Sequence, residues 1–243
     1  MGLKLMCVVA HPDDECFAFG GALALAADRG METYVVCLTD GQAAKNRGSA
    51  ATAQELGQIR RAEFAASCKV LGVTHHELLD YQDGRLEFLE FSQAAAGLVE
   101  RMRQFRPNVV ITFGGDGGMN THPDHMLASS LATAAFHWCG QARRFPELVA
   151  VHQPDRLFYV TTNFFLPRPV VPKPMPWTVT LDVESVLERK KEAFRQHLSQ
   201  APLMEQTKAL FERYGAEEFY ALAASAETRA AWHMTDLFEG LES

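Results

Sequence analysis

The chain has 243 residues, 47% of them hydrophobic, enough to bury one α/β core without a second domain. Its formal net charge is −7 and its Lys and Arg are scattered, which argues against nucleic acid as the main partner. Cys7, Cys16, Cys37, Cys68 and Cys139 are odd in number, lie mostly in apolar runs and show no C-x-x-C spacing, so they read as reduced core thiols of a cytoplasmic protein. No signal peptide and no membrane segment are expected near the N-terminus.

Leu5 to Ala10 is an apolar run of strand length that empties into His11-Pro12-Asp13-Asp14-Glu15. In open α/β sheets ligands sit beyond the carboxyl ends of strands, which would place these residues in that crevice. Alone, the junction equally fits a helix cap. Phe17 to Arg29, rich in Ala and Leu and followed by Gly30, predicts a helix, with Gly20-Gly21 allowing close approach to the sheet. Cys16 belongs with Phe17, Ala18 and Phe19 in its packing. Thr33 to Thr39 is a second strand, so residues 5–39 form a right-handed βαβ unit. The loop Asp40 to Thr52, with Gly41, Lys45, Arg47 and Gly48, is either a substrate loop or an ordinary connector.

Gln54 to Leu71 predicts a helix, and Val73 to Leu79 a strand in which His75 and His76 are surface residues. Asp80 and Asp83 in the following turn either accept from sugar hydroxyls or simply shape the turn. Phe91 to Phe105 predicts a helix, and Val109 to Phe113 a strand leading into the glycine-rich turn Gly114 to Gly118. There Thr121-His122-Pro123-Asp124-His125 repeats the first arrangement and opens a helix from Asp124 to about Cys139. Arg156 to Thr162 reads as a strand. The five prolines of Leu166 to Trp177 predict an extended surface segment. Asp182 is expected to cap a helix from Val183 to about Leu198, and residues 203–238 to be mainly helical. The expectation is one domain over 1–243, with a mainly helical C-terminal part from about 183.

With both clusters in view, His11, Asp14 and His125 make a set of two imidazoles and one carboxylate that leaves a fourth tetrahedral position for water, as catalytic zinc requires. The same donors suit iron, cobalt or manganese. A binding-only reading keeps the metal structural and lets Gly114 to Gly118 cradle an anion. Against it stand the missing G-x-G-x-x-G after the first strand and the spare acids beside the ligands.

His11-Pro12-Asp13-Asp14-Glu15 with Gly20-Gly21, then Arg60-Arg61-Ala62-Glu63, His122-Pro123-Asp124-His125 and His197-Leu198-Ser199-Gln200 resemble the landmarks of the LmbE-like (PIG-L) de-N-acetylase superfamily. The order and spacing match over about four fifths of the chain. The resemblance implies a Rossmann-like, mostly parallel sheet flanked by helices, and a zinc cofactor, Fe2+ being another divalent ion such a site accepts. It implies hydrolysis of the acetamide of N-acetylglucosamine or a small-molecule conjugate of it, with a zinc amidohydrolase of other N-acyl substrates as the alternative. Position by position it makes His11, Asp14 and His125 the metal ligands and Asp13 the general base. His122 would face the oxyanion, protonated and held by Asp124, while Arg60 and Asp83 would bind the substrate sugar. Similar proteins are often hexamers or other homo-oligomers.

Overall fold

The computed structural model describes residues 2–118, 120–148, 150–164, 174–228 and 232–242. The apolar runs form the centre of the sheet. β1 (Lys4–Val9), β2 (Glu32–Thr39), β3 (His75–Tyr81), β4 (Val109–Phe113) and β5 (Arg156–Thr161) are parallel, each to its neighbour, in the order β3-β2-β1-β4-β5. β4 is buried throughout and β1 from its second residue on, as strands covered on both faces must be. The covering helices are α1 (Asp14–Phe17), α2 (Gly20–Asp28), α3 (Ala53–Leu71), α4 (Phe91–Phe105) and α5 (Pro123–Cys139). α3 opens with a Thr52/Glu55 capping box and closes on Gly72 at φ 80°, where the sequence places its ends. The chain leaves β1 toward β2 on one side, and β4 continues toward β5 on the other. The gap between β1 and β4 is therefore the topological switch point, where such sheets place ligands.

Beyond β5 the chain departs from the sequence expectations. β6 (Val179–Asp182) is a strand the sequence did not suggest, and it precedes α6 (Leu187–Arg195) and α7 (Ala201–Tyr214). β7 (Glu217–Ser225) corrects the expectation of helix over 203–238: it inserts antiparallel between β5 and β6 and completes a seven-stranded sheet. Its Ala, Leu and Glu content favours helix locally, but pairing on both edges and burial of Glu218 to Ala221 override that preference. The helix expected over Phe17 to Arg29 is also broken, with α1 ending at Phe17 and α2 starting at Gly20. A Cβ on Gly21 would lie 2.4 Å from Val183 Cγ1 and 2.7 Å from Glu218 Oε1, so the N-terminus of α2 approaches the C-terminal part of the chain as only glycine allows. The proline-rich stretch lies mostly outside the described residues. Asp182 does accept from the backbone of Glu184 (2.9 Å), but at the start of a short 3-10 turn ahead of α6.

One buried carboxylate ties these late elements to the early ones. Glu218 on β7 accepts from the backbone N–H groups of Gly21 (2.7 Å) and Ala22 (3.0 Å), from Lys190 Nζ on α6 (2.6 Å) and from the Tyr220 hydroxyl (2.6 Å). Both members of the Lys190–Glu218 pair are buried. Glu218→Ala therefore leaves a buried ammonium and a helix N-terminus without their partner. The expected cost is about 3–5 kcal/mol, read as a lowered midpoint of urea unfolding, and adding Lys190→Met to that variant should recover part of it.

Candidate metal centre and active site

β1 and β4 are neighbours, so the His-Pro-Asp segments that follow them meet at the carboxyl edge of the sheet. His11, Asp14 and His125 are all buried there. His11 Nδ1 lies 3.2 Å from His125 Nε2 and 3.6 Å from Asp14 Oδ2, and His125 Nε2 lies 3.1 Å from Asp14 Oδ1. Donors placed tetrahedrally at about 2.0–2.2 Å from a zinc ion stand roughly 3.3–3.6 Å apart, so the two imidazole nitrogens have the spacing of a shared divalent metal, with one Asp14 oxygen facing each of them and His122 also within reach of both.

Each donor is braced from behind. Asp14 Oδ2 accepts from the backbone N–H groups of Ala10 (3.2 Å) and His11 (2.8 Å). The ring of His125 stacks on Phe113 with centroids 4.0 Å apart, and its Nδ1 lies 3.1 Å from the Gly117 carbonyl oxygen, which leaves Nε2 as the free donor. On His11 the roles are reversed. Its Nε2 faces Asp83 Oδ1 (3.1 Å) and Asp124 Oδ2 (3.3 Å), so that nitrogen carries the proton and Nδ1 is directed to the centre. Asp124 is fixed by the Gly84 N–H (2.7 Å), and Asp83 Oδ2 by the Ala43 N–H (2.9 Å).

The electrostatics call for a cation. Burial lowers the affinity of His11 for a proton, yet its hydrogen bonds to Asp124, Asp14 and Asp83 outweigh that and raise its pKa well above the usual value. Burial works against ionisation of Asp14, but the charges and hydrogen bonds of His125 and His11 hold it well below the ordinary carboxylate range. A divalent ion would supply positive charge that this buried, carboxylate-rich surrounding favours.

Asp13 stands beside this set but points elsewhere. Its backbone has φ 108° and ψ −27°, a conformation L residues rarely adopt, and its Oδ2 accepts from Arg60 Nη2 at 2.9 Å. Burial pushes its pKa up to about 6, against the lowering by Arg60 and with help from the charge of Asp14. That value suits a group that must take and return a proton near neutrality.

Three sequence expectations are revised by the contacts. Arg60 was expected at the sugar, but it is buried, and its guanidinium is taken up by Asp13, by the Pro12 carbonyl and by the Gly41 carbonyl (3.0 Å). Asp83, also expected at the sugar, is buried against His11. Asp124 was paired in expectation with His122, but its carboxylate holds His11, and only its backbone N–H reaches His122, donating to Nδ1 at 3.2 Å. With Nδ1 accepting, His122 is a neutral imidazole whose proton sits on Nε2. Burial and the charges of His11 and His125 lower its pKa, which agrees with the neutral form. His122 remains beside the two buried histidines, partly exposed and edge-on to His11 with ring centroids 4.8 Å apart. The thiol of Cys16 donates to the Asp13 carbonyl (3.1 Å), in keeping with a packing role.

The site also contains residues for which the sequence suggested no role. Glu15, Ser67 and His197 form a buried cluster next to Asp13, and Glu63 accepts from the backbone N–H (2.7 Å) and hydroxyl (2.6 Å) of Ser199. The signal was present in the His-x-Ser-Gln segment and in the fifth residue of the first motif, but spacing alone did not connect them.

A family model described as GlcNAc-PI de-N-acetylase (PIG-L) matches residues 6–136. The chain is 30% identical to the 1D-myo-inositol 2-acetamido-2-deoxy-alpha-D-glucopyranoside deacetylase of Salinispora arenicola, over 98% of this chain and 91% of that protein. In fold it is similar to the N,N'-diacetylchitobiose deacetylase of Pyrococcus horikoshii, with TM-score 0.72, 22% identity, and coverage of 98% of this chain and 86% of that one. It is also similar in fold to GalB, the 4-carboxy-2-hydroxymuconate hydratase of Pseudomonas putida, with TM-score 0.70, 20% identity, and coverage of 94% and 99%.

His125→Ala should remove one donor outright and abolish stoichiometric metal binding, measured by elemental analysis of the purified protein. Asp124→Asn removes only a brace on His11, so metal should still bind, with affinity lowered about 10–100-fold in chelator competition.

Proposed function

Because the chain belongs to the GlcNAc-PI de-N-acetylase (PIG-L) family, we propose that it is a metal-dependent hydrolase that removes the acetyl group from an N-acetylglucosamine-containing conjugate. The observation that carries this reading is the convergence of His11 Nδ1, Asp14 and His125 Nε2 at the switch point of the sheet, with Asp13 next in the chain and its carboxylate held by Arg60. The resident metal is read as zinc, which when bound would polarise the amide carbonyl and bring the pKa of water down toward ~7.

The side chains divide the remaining work. Asp13 takes the proton of the attacking water and returns it to the leaving amine, a role for which its raised pKa and its Arg60 anchor are suited. His122, neutral and protonated on Nε2, donates to the oxygen that becomes negative as the carbonyl carbon turns tetrahedral. His11, Asp14 and His125 hold the metal, and Asp83 and Asp124 keep the His11 ring in the tautomer that can do so.

The compartment is read as cytoplasmic, supported by five free and buried cysteines. No helix among the described residues is long and apolar enough to cross a membrane. Assembly into a homo-oligomer belongs to the same reading and is measured by sedimentation velocity.

The decisive assay is release of primary amine by the zinc-loaded protein from N-acetylglucosamine, its inositol and malate glycosides, diacetylchitobiose and an N-acetylated amino acid, each with a metal-stripped control. Metal-dependent release from a sugar conjugate is expected. Release from the amino acid alone would overturn the sugar assignment, and silence on all of them would overturn the reading. On the active substrate, Asp13→Asn should keep metal and lose about 10²–10⁴-fold in kcat. His122→Ala should keep metal and lose about 10²–10³-fold.

A further inference from the structure

Next to Asp13 lies a polar cluster that takes no part in the chemistry described above. Glu15 Oε2 accepts from the backbone N–H of Asp13 (2.9 Å). Glu15 Oε1 accepts from the Ser67 hydroxyl on α3 (2.5 Å) and from His197 Nε2 (2.8 Å). Glu15, Ser67 and His197 have no solvent exposure. The bond to Glu15 is the one hydrogen bond of the His197 ring among the described residues, and its Nδ1 has no partner. An imidazole buried with half its hydrogen-bonding capacity unmet is costly, and one contact, the one to Glu15, offsets that cost.

The object of this arrangement is the backbone of Asp13. A non-glycine residue at φ 108° is held only when its surroundings over-determine it. Here the N–H is fixed by Glu15, the carboxylate by Arg60, and the preceding carbonyl of Pro12 by the same Arg60 nitrogen. We infer that Glu15 and His197 are positioning residues that hold Asp13 in its left-handed conformation, so that its carboxylate meets Arg60 while Asp14, one residue on, meets His11 and His125. The inference rests on the hydrolase reading for the use made of Asp13, but the conformation itself is independent of that reading. It also gives the His197-Leu198-Ser199-Gln200 segment a purpose. His197 holds Glu15, Ser199 is gripped by Glu63, and the Gln200 amide donates to the Asn46 carbonyl (3.1 Å) in the loop before α3.

The test combines crystallography with kinetics on the full-length, metal-loaded protein. In Glu15→Gln, an amide replaces one acceptor oxygen among three donors. The structure should then show Asp13 leaving the positive-φ region or its carboxylate leaving Arg60. Metal content should stay at the wild-type level, kcat should fall about 10²-fold, and KM should stay within about twofold. A second pair guards against a variant that does not fold. His197→Ala should reproduce the loss, and His197→Gln, whose amide nitrogen can reach Glu15 from a similar position, should restore much of kcat. If Asp13 keeps φ near 108° and its Arg60 contact in both Glu15→Gln and His197→Ala, the inference is overturned. It is overturned as well if kcat is unchanged or if His197→Gln is no better than His197→Ala. Should the wild-type protein hydrolyse none of the amides, the deacetylase reading fails separately, and the crystallographic comparison still decides whether the cluster holds Asp13.

Discussion

The imidazole of His11 is the point on which the site depends. One nitrogen faces His125 and Asp14, and the other faces Asp83 and Asp124, so a single buried ring is surrounded by three carboxylates. Burial of that much negative charge is tolerable only with positive charge at its centre. The main chain is arranged to supply what the ring does not. The Gly84 N–H supports Asp124, the Ala43 N–H supports Asp83, and the N–H groups of Ala10 and His11 support Asp14. Each donor lies at or beyond the carboxyl end of a parallel strand, and the β1–β4 gap brings them together.

The family model ends at residue 136, yet the support of the site does not. His197 reaches back to Glu15, Ser199 to Glu63 and Glu218 to the N-terminus of α2. The C-terminal part thus acts as a clamp on the first βαβ unit and on α3. That explains why β7 enters the sheet against its local preference: the strand delivers Glu218 to the two free N–H groups of α2 and sets Lys190 against it. Losing those contacts would loosen α2, and with it the turn that carries Asp13 and Asp14.

The sequence made the first five strands and the helices α3, α4 and α5 legible, and it brought the two His-Pro-Asp motifs to one edge of the sheet, because each rests on a local pattern: apolar runs, glycine stops and motifs at strand ends. β3 lies two residues further on than expected, a difference at an edge strand where the apolar pattern is weakest. β7 was illegible because its residues favour helix and only pairing on both edges makes them a strand. Partner choice was illegible for a related reason. Asp124 is adjacent in sequence to His125 and two residues from His122, but the turn at the start of α5 directs its carboxylate across to His11. Arg60 carries the residue type of a sugar clamp, and only its burial against Pro12, Asp13 and Gly41 shows what it holds. Proximity in sequence does not specify direction in space.

The difference in surroundings between Asp13 and Asp14 follows from direction as well. The two residues are consecutive and chemically identical, so their roles must come from their surroundings. Asp14 opens α1 with its carboxylate turned back onto the N–H groups of Ala10 and His11, between two imidazoles that keep it ionised. Asp13 precedes it with φ reversed in sign, which turns its side chain away from that set toward Arg60, in a buried position that favours the protonated form. The unusual backbone at one residue is thus what sets two consecutive carboxylates in different surroundings, and the buried contacts around Asp13 are what sustain it.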